Sequence, residues 1–240
     1  MSSSKPSRTI GIMGGMGPSA TIDLFQKIVQ STPAVRDQQH LPILIYNNPA
    51  IPPRIWESDG TADSPLPALI RCAQTLEAAG ADFLVMPCHT AHLWISRIRS
   101  QITIPFFSMV EHTIAVLAVE PQDGEPILLL GTGSTIGQRL YPLAAVGGRP
   151  RFVEPDARDQ ALVDEAILRM KAGRPNPESW LGPLDAMLER YYRAGTPRAL
   201  AACTEIPLMA PYLESAMPLV DPTLLLARLA VDQATRYHHS

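Results

Sequence analysis

The chain repeats itself at long range, and that repetition restricts its fold more than any other feature. Residues 78–88 read AAGADFLVMPC and residues 193–203 read RAGTPRALAAC, so a glycine precedes a cysteine by eight positions in each, and a threonine stands close after it in MPCHTAH and ACTEIPL. Cys88 and Cys203 lie 115 positions apart, as do Gly80 and Gly195, while Gly14 and Gly131 lie 117 apart and Pro105 and Pro218 lie 113 apart. Self-similarity at a fixed offset marks a duplicated structural unit, and an offset of about 110 residues is the scale of a small domain. Two similar units are expected, residues 1–109 and 110–221. A last helix within 222–240 has no counterpart in the first half and is expected to pack back onto the first unit.

Short apolar runs recur through both halves: TIGIM (9–13), PILIYN (42–47), DFLVM (82–86) and IPFFS (104–108), then PILLLG (126–131), RFVE (151–154), RALAA (198–202) and PLVD (218–221). Runs of this length suit strands buried on both faces of a sheet. Helical patterns lie between them. The clearest covers 65–79, where Leu66, Leu69, Ile70, Ala73 and Leu76 form one apolar stripe, opened by Asp63, Ser64 and Pro65 and stopped by Gly80. Strands alternating with helices predict an α/β protein, each unit holding a four-stranded parallel sheet flanked by helices. The 24 prolines, about twice ordinary usage, gather in loops at 49–67 and 174–183, where a site is expected.

Composition removes several functions. At 240 residues the chain can bury a substantial core without disulfides or metal. A net charge of −3 without a dense Lys/Arg cluster leaves no field for phosphate backbones, so nucleic acid is not an expected partner. No run of about 18 apolar residues and no signal-like N-terminus stand in the sequence, so the expectation is a soluble cytoplasmic protein away from membranes. Cys72, Cys88 and Cys203 are too few and too scattered for a disulfide framework.

Cys88 and Cys203 each follow a strand directly, and the carboxyl ends of parallel strands are where α/β proteins bind ligands. Two such units facing each other would set the thiols across one cleft, where one can take a proton from a carbon and the other deliver a proton to its opposite face. Cys72, inside the helical stripe, reads instead as a buried small hydrophobe. GIMGGMGPSAT (11–21) and LGTGST (130–135) are glycine-rich turns after strands, suited to an anion, with a carboxylate favoured over a dinucleotide because G-x-G-x-x-G spacing is missing. Cys88, His89 and His92 lack companion ligands for a metal. His89 reads as a substrate or thiol neighbour, and His92 as a helix cap or an orienter of a thiol. Of three lysines, Lys5, Lys27 and Lys171, Lys171 alone suits a Schiff base, and it suits a carboxylate equally well.

With these residues in place, the chain resembles the aspartate/glutamate racemase family, the cofactor-independent isomerases of acidic amino acids. The resemblance rests on GIMGGMGPSAT, NNPAIPPR (47–54), PCHTAH (87–92), LGTGSTIGQRLY (130–141), ILRMKAG (167–173) and ACTEIPL (202–208). It implies two pseudo-symmetric α/β domains with the active site in the cleft between them, usually in a homodimer, and no cofactor or metal. It implies Cys88 and Cys203 as the acid/base pair, and Arg54 and Lys171 as holders of substrate carboxylates. Met16, Gly17, Asn47, His89, Thr90, Thr132, Thr135, Thr204 and Glu205 would complete the substrate-binding set.

The chain departs from the family pattern at His89, where Cys-Asn-Thr is common, and at Ser134, where glycine is usual before the threonine. An imidazole alters hydrogen bonding and charge beside the substrate. The expected activity is racemisation of aspartate, glutamate or a near relative by thiolate/thiol transfer. Two other classes stand beside it: an isomerase or lyase of the maleate isomerase, hydantoin racemase or arylmalonate decarboxylase type, and a non-catalytic two-lobed binder of small acids.

Overall fold

A computed structural model describes residues 7–54, 64–119, 125–145, 147, 149–173 and 176–235; Lys5, Asp63 and residues 236–240 lie outside them. The chain divides into two units, Met1–His112 with Thr223–Ser240, and Thr113–Pro222. The first unit contains β1 (Ile10–Gly14), α1 (Pro18–Ser31), β2 (Ile43–Asn47), α2 (Leu66–Ala78), β3 (Phe83–Val85), α3 (Ile95–Arg99) and the start of α4 (Met109–Val119). The second contains β4 (Ile127–Leu130), α5 (Gly133–Gly137), α6 (Leu140–Ala144), β5 (Phe152–Val153), α7 (Ala157–Lys171), α8 (Gly182–Arg193), β6 (Arg198–Ala201), α9 (Ile206–Met209) and β7 (Leu219–Val220). The chain returns to the first unit with α10 (Pro222–Thr235).

Both sheets are parallel and share one strand order, β2-β1-β3 in the first unit and β5-β4-β6-β7 in the second. The match extends to register: Leu84 pairs with Phe106 in the first unit where Ala199 pairs with Leu219 in the second. The expected fourth strand of the first unit is thus reduced to a one-residue bridge. Pro105 has no N–H to give to a ladder, and α4 begins at Met109, which leaves Phe106 alone to pair. Leu84 donates to the Pro105 carbonyl and accepts from the Phe107 N–H.

Alternation along β1 and β3 builds two cores in the first unit. Met13, Leu84 and Met86 face α2 and α3, packing with Leu69, Cys72, Leu76 and Ile98. Ile10, Ile12, Phe83 and Val85 face the other way, toward Leu24 and Ile28 of α1 and Leu226, Ala227, Ala230 and Ala234 of α10. Burying a leucine or valine there contributes about 1.5–3 kcal/mol. Edge strand β2 departs from the expectation of a strand buried on both faces, since Ile45 and Tyr46 are 42% and 37% exposed. In the second unit Leu128, Leu130, Ala199 and Ala201 pack on Val163, Ile167, Leu184 and Met187 of α7 and α8.

The duplicated glycines have a physical cause. Gly80 and Gly195 sit just past the ends of α2 and α8 with φ of +95° and +92°. Gly80 N–H donates to the Glu77 carbonyl and Ala81 N–H to that of Leu76; Gly195 and Thr196 repeat the pattern onto Tyr192 and Tyr191. These are Schellman turns, which satisfy carbonyls left open at a helix end and suit glycine because the backbone is left-handed there. Each turns its chain into the strand that ends at a cysteine.

His92 ties the segment after β3 to α4. Its Nε2 accepts from the Met109 N–H at 3.1 Å, so Nδ1 carries the proton it donates to the Cys88 carbonyl at 2.7 Å. One open N–H of the α4 first turn is satisfied in this way, and the Ser108 hydroxyl accepts another from Glu111. Arg99 reaches the same region, gripping Glu111 with two bonds of 2.8 Å and donating to the Phe106 carbonyl.

Two stability predictions follow from these contacts. Gly80→Ala places a methyl in open space and should cost only the left-handed penalty of about 1–2 kcal/mol. At Gly15, also left-handed at φ +99°, a Cβ would meet Asn48 backbone atoms at 2.3 Å. Gly15→Ala should therefore lie roughly 1–3 kcal/mol further down in urea unfolding, since overpacking adds to the backbone strain. The second concerns acid. Burial outweighs the bond to Cys88 and pushes His92 down to about 4. The unfolded chain takes up this proton from about pH 6.5 downward while the native chain does not, so stability held above pH 6.5 is lost as pH falls toward 4, about 3 kcal/mol in all from this group. His92→Gln should flatten unfolding free energy measured between pH 7.5 and 4.5; an unchanged slope would count against it.

Candidate active site

In the first unit the carboxyl ends of β1, β2 and β3 lie side by side, with Gly14 registered to Asn47 and β1 paired to β3. That end carries the glycine turn after β1, Asn47 and Asn48 after β2, and Cys88 after β3. Gly15 N–H donates to the Thr21 hydroxyl at 3.0 Å, and that hydroxyl donates in turn to the Gly17 carbonyl. Close approach of Asn48 to Gly15 is what excludes any side chain there. Met16, Ile51 and Cys88 are all buried in one apolar cluster, so the thioether of Met16 shares the surroundings of the thiol. Arg54, shortly after Ile51, donates through Nη1 to the Ile51 and Pro52 carbonyls at 3.3 and 3.1 Å. Asn47 is exposed, and Thr90 starts the short 3₁₀ turn Thr90–Trp94.

His89 is buried, 3% exposed, and burial followed by the neighbouring His92 holds its imidazole well below the usual histidine range. A neutral ring therefore stands where the family pattern has a neutral carboxamide. Of the Cys88, His89 and His92 trio, His92 has both nitrogens engaged by backbone groups, and no cluster of three or more metal-ligating side chains occurs among the described residues. Cys72 lies in the core as expected, its sulfur accepting from Asn48 at 3.6 Å.

The second unit repeats the plan with different chemistry. β4 and β6 pair from Ile127–Arg198 to Leu130–Ala201, bringing the turn at 131–135 beside Cys203. A Cβ on Gly131 would stand 3.0 Å from the Ala202 carbonyl, so the close passage of the two strand ends favours glycine there. Thr132 caps α5 by accepting from the Thr135 N–H at 3.2 Å, and the two hydroxyls lie 3.1 Å apart. The anion expected at this turn is in part the protein's own: Asp164 accepts from the Gly133 N–H at 2.9 Å. Gln160 donates to the Gly131 carbonyl at 2.9 Å.

Gln160 and Asp164 were not foreseen, although a signal for them exists. With Lys171 they fall at positions 160, 164 and 171 of one helix, within a narrow polar stripe at helical spacing. Asp156 starts that helix, its side chain accepting from the N–H groups of Arg158 and Asp159. Lys171 ends it, with Nζ 3.9 Å from Glu205.

Cys203, Thr204 and Glu205 are all buried. The Cys203 thiol donates to Glu205 Oε2 at 2.9 Å, and the Thr204 hydroxyl to the same oxygen at 3.3 Å. Burial first, then the charge of Glu205, raises the thiol well above its ordinary range, against a weaker lowering by Lys171. Expected as a substrate-binding residue, Glu205 here contacts the thiol.

Known proteins are similar to this chain over nearly its whole length. The Asp/Glu/hydantoin racemase family model matches residues 13–230. A broad specificity amino-acid racemase, RacX of Bacillus subtilis, is 27% identical over 232 residues, 95% of this chain and 99% of that one. Among solved structures, Picrophilus torridus aspartate racemase superposes with a TM-score of 0.82 at 29% identity, covering 95% of this chain and 94% of its own. Glutamate racemase from Aquifex pyrophilus shares the fold, with a TM-score of 0.61 at 18% identity over 91% and 81% of the two chains. Two parallel sheets of one strand order, each ending in a cysteine after its third strand, and a family match over nearly the whole length together mean that this chain belongs to the Asp/Glu/hydantoin racemase family.

Proposed function

We propose that the protein is an amino-acid racemase that inverts the α-carbon of an acidic substrate, aspartate, glutamate or a near relative, without a cofactor. The observation that carries this reading is the equivalence of Cys88 and Cys203, each just past the carboxyl end of the corresponding strand in two sheets of one order. Likeness to a broad specificity amino-acid racemase and to an aspartate racemase supports the reaction class.

In this reading one cysteine, as thiolate, removes the α-proton, and the electron pair left behind spreads into the α-carboxylate. The other cysteine, as thiol, delivers its proton to the opposite face, so the stereocentre inverts while the thiol and thiolate exchange places. Both sulfurs must therefore reach one carbon from opposite sides. Burial and the charge of Glu205 raise the Cys203 thiol, which supports a reading in which Cys203 starts as the acid and Cys88 removes the proton from the enantiomer that it faces. Arg54 and Lys171 supply positive charge for the two carboxylates, Arg54 through its planar fork. The neutral ring of His89 adds hydrogen bonding without charge.

Cys88→Ala and Cys203→Ala should each reduce racemisation by roughly 10²- to 10⁴-fold or more, the usual contribution of a general acid or base. Each variant keeps one base, so each should still wash solvent deuterium slowly into one enantiomer, and the two should select opposite enantiomers. Chiral separation with mass spectrometry reads both effects. Cys72→Ala, altering only the core, should stay near wild type in turnover. Near-normal racemisation in either of the first two variants would end the two-base reading, and deuterium incorporation without inversion in the wild type would favour a lyase or single-cysteine isomerase. Arg54→Ala should lose about one to two decades in kcat/KM for acidic substrates, matching a charge-assisted bond of about 1.5–3 kcal/mol. Its preference for acidic over neutral side chains should fall in parallel; equal selectivity would remove Arg54 from recognition.

A further inference from the structure

One oxygen in the second unit serves three groups. Glu205 Oε2 accepts from the Cys203 thiol at 2.9 Å and from the Thr204 hydroxyl at 3.3 Å, and lies 3.9 Å from the Lys171 ammonium. Glu205 is 2% exposed, whereas the Lys171 side chain is 38% exposed. Oε2 is thus taken up by the thiol, hydroxyl and ammonium of its own unit. We propose that Glu205 is the proton partner of Cys203, holding the thiol protonated at rest so that Cys203 enters as the acid, and taking up the same proton when Cys203 must act as base.

In that second step the S–H bond breaks, an O–H bond forms on Glu205 and a thiolate remains, so the total charge of the pair does not change. A thiol is the weaker acid by about four pH units at ordinary values, which makes the protonated thiol the resting form. Lys171, 3.9 Å from that oxygen and partly open to solvent, compensates the charge of the pair. The sequence supports the arrangement locally: Glu205 is two residues beyond Cys203 in a tight turn where the Ile206 N–H closes onto the Cys203 carbonyl, which brings both side chains to the same side. In the first unit His89 and Thr90 follow the cysteine, and no carboxylate occupies the matching place. The two thiols are thus provided for differently, and the difference falls on which of them starts with a proton.

This assignment rests on the racemase reading for its place in catalysis, but its physical core can be measured without turnover. Alkylation of the full-length protein by iodoacetamide from pH 6 to 10, with peptide mapping, gives the midpoint at which Cys203 becomes reactive. Glu205→Gln should lower that midpoint by about one unit or more, a tenfold or larger rise in thiolate at neutral pH, with Cys88 unaffected. Glu205→Asp, which keeps the charge, should stay nearer wild type, and Lys171→Gln should raise the midpoint. In turnover, the basic limb of the kcat/KM profile should move down with Glu205→Gln. An unmoved Cys203 midpoint in Glu205→Gln overturns the proposal, as does a change confined to KM with the basic limb unmoved. Wild-type protein that fails to racemise any amino acid, yet shows the midpoint shift, would sink the racemase reading and leave the coupling of Glu205 to Cys203 standing.

Discussion

The Schellman turns at Gly80 and Gly195 set the geometry on which the remainder depends. Two hydrogen bonds at each helix end fix how many residues separate the last turn of helix from the first residue of strand. From there β3 and β6 run into the sheet beside β1 and β4, so the distance from glycine to cysteine is fixed by the chain's own metre rather than by contacts at the site. A helix end that slipped by one residue would turn the strand over and send every inward side chain outward. Duplication of the glycine thus matters as much as duplication of the cysteine.

Past the strands, the two units spend their polar groups differently. In the first, the backbone after Cys88 is tied through His92 to a helix start, and burial, with His92 beside it, holds the His89 imidazole well below the ordinary histidine range. In the second, α7 lays Gln160 and Asp164 against the glycine turn and ends at Lys171, so a single helix braces the loop and brings charge to the cysteine. The glycine turns themselves have part of their donor capacity taken by Thr21 and Asp164. In the racemase reading proposed above, recognition of a carboxylate would then fall more heavily on side-chain cations than on the amides of these turns.

Strand positions, the parallel α/β class and the core role of Cys72 could be read from the sequence because each depends on local apolar pattern and on punctuation by glycine and proline. The shortening of the fourth strand at Phe106 could not, since it follows from where α4 begins and from the missing N–H of Pro105 acting together. The exposure of Ile45 and Tyr46 was also hidden: an apolar run tells that a strand forms, not whether it lies at a sheet edge. Among site residues, the cysteines announced themselves by repetition. The attachment of Glu205 to the thiol did not, because a turn of two residues can aim a carboxylate either at a neighbour or away from it, and the choice is made by the backbone bond from Ile206 to Cys203. The role of His92 lay between these cases, with capping legible and the choice of α4 not.

The return of α10 to the first unit carries a consequence for how this protein is born. Residues Leu226, Ala227, Ala230 and Ala234 complete a core whose other members are Ile10, Ile12, Leu24 and Phe83. During synthesis the first unit emerges early, but that face of its sheet is covered only in part, by α1, until α10 has left the ribosome. The second unit has its whole sheet and core within Thr113–Pro222, so it is complete before the first. The usual order in which domains mature from the N-terminus onward is reversed here. A chain that stops short of α10 keeps the core of the second unit whole and leaves Ile10, Ile12 and Phe83 of the first without part of their apolar cover.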